Sequence, residues 1–121
     1  MNYTENQLSE LAKTNPKELA HILTSSSVNI RVLTFGAEIL GGEVTDESIV
    51  LPVLSRLIKH VNAIVREGAA IGISSFYSST KPPQDILDRL KFMSTNDPSP
   101  ALRDTVKSML EDYKIDERAQ D

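Results

Sequence analysis

Cysteine is absent from this 121-residue chain, which removes disulfides, thiolate metal sites and a thiol nucleophile from consideration. No apolar run approaches the roughly 20 residues that a bilayer-spanning helix requires. The opening residues, Met1 to Gln7, carry neither the basic leader nor the apolar stretch of a secretory signal. A cytoplasmic protein with no membrane association is therefore expected. A broad basic face, the usual mark of a duplex-DNA binder, is missing as well. Net charge is −4, made of −4 over residues 1–47, +3 over 48–96 and −3 over 97–121. Only a mildly basic middle stands between acidic ends.

The remaining composition is that of a folded protein, 40% hydrophobic and 25% charged. A single domain of this length buries roughly two-thirds of the surface its unfolded chain exposes. Within it, one pattern occurs three times: a small polar residue, two further residues, then an aliphatic and an arginine. The copies are Ser27-Val28-Asn29-Ile30-Arg31, Asn62-Ala63-Ile64-Val65-Arg66 and Ser99-Pro100-Ala101-Leu102-Arg103, with aliphatics 35 and 37 residues apart. Serine and asparagine accept a bond from an unpaired first-turn amide, so each copy predicts the start of a helix. Pro100 fits the first helical position, where its missing N–H costs nothing.

A second helical signal lies upstream of each copy. Leu19, Ile22 and Leu23 form one stripe, and Leu54, Leu57 and Ile58 repeat it 35 residues later. Ile86, Leu87, Leu90 and Met93 form a looser third. Asn15-Pro16-Lys17-Glu18 reads as cap, first-turn proline and acidic partner. Thr45 is the expected cap of the second unit, and Pro83-Gln84-Asp85 opens the third. Gly41-Gly42 and Ser78 to Pro83 are the expected breakers. The chain thus divides into an N-terminal helix at 4–14, with Thr4 and Gln7 at capping-box spacing, and repeats at 16–41, 45–77 and 83–113. A tail at 114–121 follows. The fold class is all-α, built from three helical hairpins.

Winding the second helices at 100° per residue from the aliphatic of each motif predicts their core faces. These are Ile30, Leu33, Thr34, Ala37 and Gly41, then Val65, Gly68, Ala69, Gly72 and Phe76, then Leu102, Thr105, Val106, Met109 and Tyr113. The first two helices are apolar on their other sides too, through Val32, Phe35 and Ile39 and through Ala70, Ile71 and Ile73. That predicts helices covered on both sides. The third shows Arg103, Asp104, Lys107, Ser108, Glu111 and Asp112, as a terminal capping repeat requires. The N-terminal helix is expected to cover the other end, giving a complete small protein. Gly68 and Gly72 lie inside a helix at a cost of about 1 kcal/mol each against alanine, which predicts close approach of a neighbouring helix.

The segment Val65-Arg66-Glu67-Gly68-Ala69-Ala70-Ile71-Gly72, preceded by Leu51-Pro52-Val53-Leu54-Ser55-Arg56-Leu57-Ile58, resembles a HEAT repeat. Ile30-Arg31 and Leu102-Arg103 are similar to its Val-Arg signature, and the likeness covers roughly residues 16–113. Ser27, Asn62 and Ser99 stand where the family commonly has an aspartate, which departs from an Asp–Arg ladder. The resemblance implies a short right-handed α-α superhelix whose second helices line a concave surface, most often used to hold a protein partner. Relatives of this type also bind nucleic acid or act as lyases, so the fold alone does not assign function.

Catalytic chemistry finds little support. His21 and His60 lie in different first helices, without ligand spacing to a carboxylate. Ser25-Ser26-Ser27 and Ser74-Ser75 have no identifiable base, and Asp85/Asp88 and Glu111/Asp112 read as solvated charge. A non-enzymatic protein without metal or cofactor is expected. Arg31, Arg66 and Arg103 recur at matching positions, beside Glu67 and Lys107. They form a row that either contacts a partner or satisfies carbonyls and carboxylates within the stack. Arg56, Lys59 and His60 make a basic patch suited to an acidic partner. The function expected is recognition of a protein partner. Nucleic-acid or phosphate-ligand binding through the basic middle is the alternative, and self-association remains open, since three repeats are near the minimum for stability.

Overall fold

A computed structural model describes residues 2–25 and 28–120, with side-chain surroundings through residue 114. Among the described residues every regular element is a helix: α1 (Glu5–Thr14), α2 (Pro16–Leu23), α3 (Ile30–Glu43), α4 (Glu47–Leu57), α5 (Ala63–Phe76), α6 (Gln84–Asn96) and α7 (Pro100–Gln120). None is long and apolar enough to cross a membrane. The chain forms two compact units, residues 1–76 and 77–121.

Local chemistry accounts for the helix starts. Thr4 and Gln7 bond reciprocally at the head of α1, closing a capping box. The Asn15 carboxamide accepts from the Glu18 amide, with Pro16 at the first position of α2. Asn62 accepts from Ile64 at 2.8 Å ahead of α5, and Ser99 from Leu102 at 3.3 Å ahead of α7. Asp46 rather than Thr45 caps α4: its Oδ1 accepts from the Ser48 amide at 3.0 Å and the Ser48 hydroxyl at 2.6 Å. Those two bonds hold the Asp46 carboxyl below its ordinary range, the side-chain bond contributing most. Ser27, the expected cap of the first motif, lies outside the described residues. The cap of α3 is Asn29, which accepts from Val32 at 2.9 Å.

That cap shifts the register of the first motif. The aliphatic of each motif occupies the third helical position in α5 (Val65) and α7 (Leu102), whereas Ile30 occupies the first position of α3. Val65 and Leu102 are fully buried, but Ile30 is 42% exposed. The residue of α3 matching them is Val32, 2% exposed and 33 residues before Val65. From Leu23 to the start of α3 is seven residues, against five from the matching Ile58 to the start of α5. The longer connection delivers α3 two residues late, and the expected equivalence of Ile30-Arg31 with the other motifs fails for that reason.

In the first unit, α2 packs on α3, α4 on α5, α2 on α4 and α3 on α5, while α1 lies against α2 and α3. Two helical hairpins therefore sit side by side, first helix on first and second on second. Leu19, Ile22, Leu23, Leu54, Leu57 and Ile58, the stripes read from spacing, are all buried. The α3–α5 contact is a seam of small residues. A Cβ on Gly68 would lie 2.6 Å from the Thr34 carbonyl oxygen, and one on Gly72 2.5 Å from that of Ala37. A Cβ on Gly41 would strike the Gly72 backbone. No glycine has positive φ, so these are steric requirements, not conformational ones. Gly41-Gly42 accordingly does not end the helix: α3 runs on to Glu43, and the Val44 amide still bonds the Leu40 carbonyl.

In the second unit α6 packs on α7, with Ile86, Leu90 and Met93 buried alongside Leu102, Val106, Met109 and Tyr113. Asp104, Lys107, Ser108, Glu111 and Asp112 face water. The backbone of α7 stays helical through Gln120, in the stretch expected as a tail.

Candidate functional site

The row of arginines divides into two kinds. Arg66, only 8% exposed, turns back over its own connection and donates from Nη1 to the His60 carbonyl at 2.9 Å and the Val61 carbonyl at 3.0 Å. Arg103 does the same, donating to the Asp97 carbonyl at 2.6 Å. Each bonds a carbonyl six residues earlier, so each ties the turn of its hairpin. Asp97, which the spacing argument passed over, completes the second turn: it is buried, and its Oδ1 accepts from the Ser99 amide at 2.9 Å. Arg31, displaced by the register shift, is exposed and lies over the Phe35 ring at 5.5 Å. It borders an open cleft of about 610 Å³ shared with Asn2, Tyr3, Glu5 and Asn29. Three equivalent partner-facing arginines are therefore not what the chain presents. Lys107 is exposed on α7.

Negative charge gathers beside Arg31. Phe35, Glu38 and Ile39 follow it on one side of α3, three and four residues apart. Glu67 and Ile71 stand one turn apart on α5 in the same way. Burial pushes the Glu38 carboxyl above its ordinary 4.5, and the carboxylates of Glu5 on α1 and Glu67 on α5 push it further. Glu5, Glu38 and Ile39 border a second open cleft of about 390 Å³ with Ser9 and Glu43. Ser9 there donates to the Glu43 carboxylate at 2.9 Å, fastening α1 to α3. Phe35 and Ile39, expected to be covered, stay half-exposed, and Ile71 is 37% exposed. The three carboxylates are near enough to repel, yet among the described residues no three acidic or histidine side chains are placed to hold a metal ion.

Glu5 and Glu38 were not among the residues singled out from sequence. Nothing in the spacing of α1 and α3 says that their acidic positions meet, because that depends on how α1 crosses α3. Phe35 and Ile39 were visible as an apolar surplus on α3, without any indication that the surplus faces water.

The basic patch is smaller than its three residues suggest. Arg56 and Lys59 are exposed and His60 is half-buried. His60 Nδ1 accepts from the Asn62 amide at 3.0 Å, within the turn that Arg66 ties. Arg56 and His60 border a cavity of about 170 Å³ together with Leu23, Thr24, Ser25 and Leu57.

No protein-family model, curated protein or solved structure matches the chain.

Proposed function

We propose that the first unit is a recognition module that takes a basic, partly apolar segment of a protein partner across the outer face of α3 and α5, beside α1. The supporting observation is the raised Glu38 carboxyl. A half-buried carboxylate pressed by two others carries uncompensated negative charge. A lysine or arginine brought by a partner would relieve that repulsion, and Phe35, Ile39 and Ile71 offer apolar area beside it. The molecule performs no reaction in this reading. The candidate arginines split accordingly: Arg66 and Arg103 hold turns, while Arg31, which shares a cleft with Glu5, flanks the face that the partner would cover.

The HEAT-like superhelix belongs to the same proposal. It draws support from the paired hairpins of the first unit, from the buried aliphatics Val32, Val65 and Leu102 at one helical position, and from the matched turn bonds of Arg66 and Arg103. A second-helix surface used for recognition is what such a stack would offer.

Selection from a random displayed-peptide library tests the reading. The wild-type protein is expected to enrich lysine- and arginine-containing sequences with interspersed apolar residues, and the double variant E38K/E67K to lose them. Enrichment of acidic sequences, or none, contradicts it. Nucleic-acid binding at low salt that falls steeply as salt rises would favour the alternative instead.

A further inference from the structure

The cavity beside the C-terminal ends of α2 and α4 has a donor-bearing polar wall and apolar flanks. His60 Nδ1 accepts the Asn62 amide at 3.0 Å, so the neutral ring carries its proton on Nε2. That N–H makes no hydrogen bond with any described residue. Arg56 is exposed on the same cavity and makes neither a hydrogen bond nor an ion pair among the described residues, so its five donors are available to a ligand there. The Thr24 hydroxyl donates to the Ala20 and His21 carbonyls at 3.1 Å. Leu23 and Leu57 form apolar walls.

We propose that this cavity binds a phosphate group, free or as the end of a small phosphomonoester, through the Arg56 guanidinium and His60 Nε2–H. The planar fork of arginine pairs bidentately with two oxygens of an oxyanion. A carboxylate engages both its oxygens with the fork and can offer the imidazole only their second lone pairs, whereas a phosphate keeps further oxygens, and a larger negative charge, for the imidazole. A volume of about 170 Å³ is ample for a phosphate group, which takes the room of roughly two or three waters at about 30 Å³ each. The site is separate from the acidic face, and its failure would leave the reading of that face untouched.

Heteronuclear NMR of the full chain, titrated with sodium phosphate at constant ionic strength made up with chloride, tests the site. Saturable shifts of the His60 imidazole and the Arg56 guanidinium are expected. Removing one charged contact should weaken binding about tenfold in Arg56→Gln. His60→Asn keeps an acceptor for the Asn62 amide but loses the Nε2 donor, so its turn persists while binding weakens several-fold. Lys91→Gln, an equal loss of charge in the other unit, should change nothing. Tighter binding of glycerol 3-phosphate than of phosphate identifies a phosphomonoester end, and equal binding a free anion. Shifts that do not saturate, equal shifts with acetate, or equal weakening by Lys91→Gln would overturn the proposal.

Discussion

Glu38 is held at a cost in the folded chain. Its carboxyl is raised by burial first, then by Glu5 and Glu67, relative to the ordinary value of 4.5 that it recovers on unfolding. The folded state therefore binds the proton more tightly than the unfolded state. Stability from this group is present in full below 4.5 and is lost as pH rises through the raised value. Glu38→Gln is expected to stabilise the protein at pH 8, with an advantage that shrinks toward pH 4. Urea melts at the two pH values measure this, and an advantage independent of pH contradicts it. Arg31 and Arg66 provide a second residue-level contrast, since the same motif letter does different work. Arg66→Met strands two carbonyls at a nearly buried turn and should cost about 1–3 kcal/mol. Arg31→Met, at an exposed site, should stay within about 0.5 kcal/mol. Thermal melts of the two variants would reverse this order only if the turn bonds were dispensable.

At the scale of the element, the α3–α5 seam inverts the usual rule for glycine in helices. Propensity alone predicts that alanine improves each helix by about 1 kcal/mol. At Gly42 an added Cβ meets nothing within 4 Å, so Gly42→Ala should stabilise by up to about that amount. At Gly72 the added carbon would lie 2.5 Å from a backbone oxygen, which cannot swing aside as a side chain can. Overpacking costs about 1–3 kcal/mol, so Gly72→Ala should be destabilising despite the propensity gain. Chemical denaturation of both variants checks the opposite signs. Two stabilised variants would mean that the helices stand further apart.

Across the whole chain, what could be read from sequence was set by local chemistry. Capping side chains such as Asn15 and Ser99, and stripes such as Leu54, Leu57 and Ile58, act within one or two turns, and they located the helices. The errors arose where position depends on distant parts of the chain. Gly41-Gly42 reads as a break in isolation, and only the presence of Gly72 explains it inside a helix. Ile30-Arg31 matches Val65-Arg66 in letters, yet a connection two residues longer puts it at another helical position. The acidic face was invisible, because Glu5, Glu38 and Glu67 come together only when α1 and α5 both lie beside α3. The three recurring arginines read as equivalent, and only their bonds separate Arg66 and Arg103 from Arg31; Asp97 carries no repeat signal although it sits in the turn that Arg103 bonds. The recognition reading rests on that unforeseen convergence of carboxylates. An NMR titration of the Glu38 carboxyl carbon in the wild type and in the Glu5→Gln and Glu67→Gln variants measures it most directly. The account predicts a wild-type midpoint above 4.5 that moves down in each variant, whereas a midpoint at or below 4.5, or one indifferent to both substitutions, would contradict it.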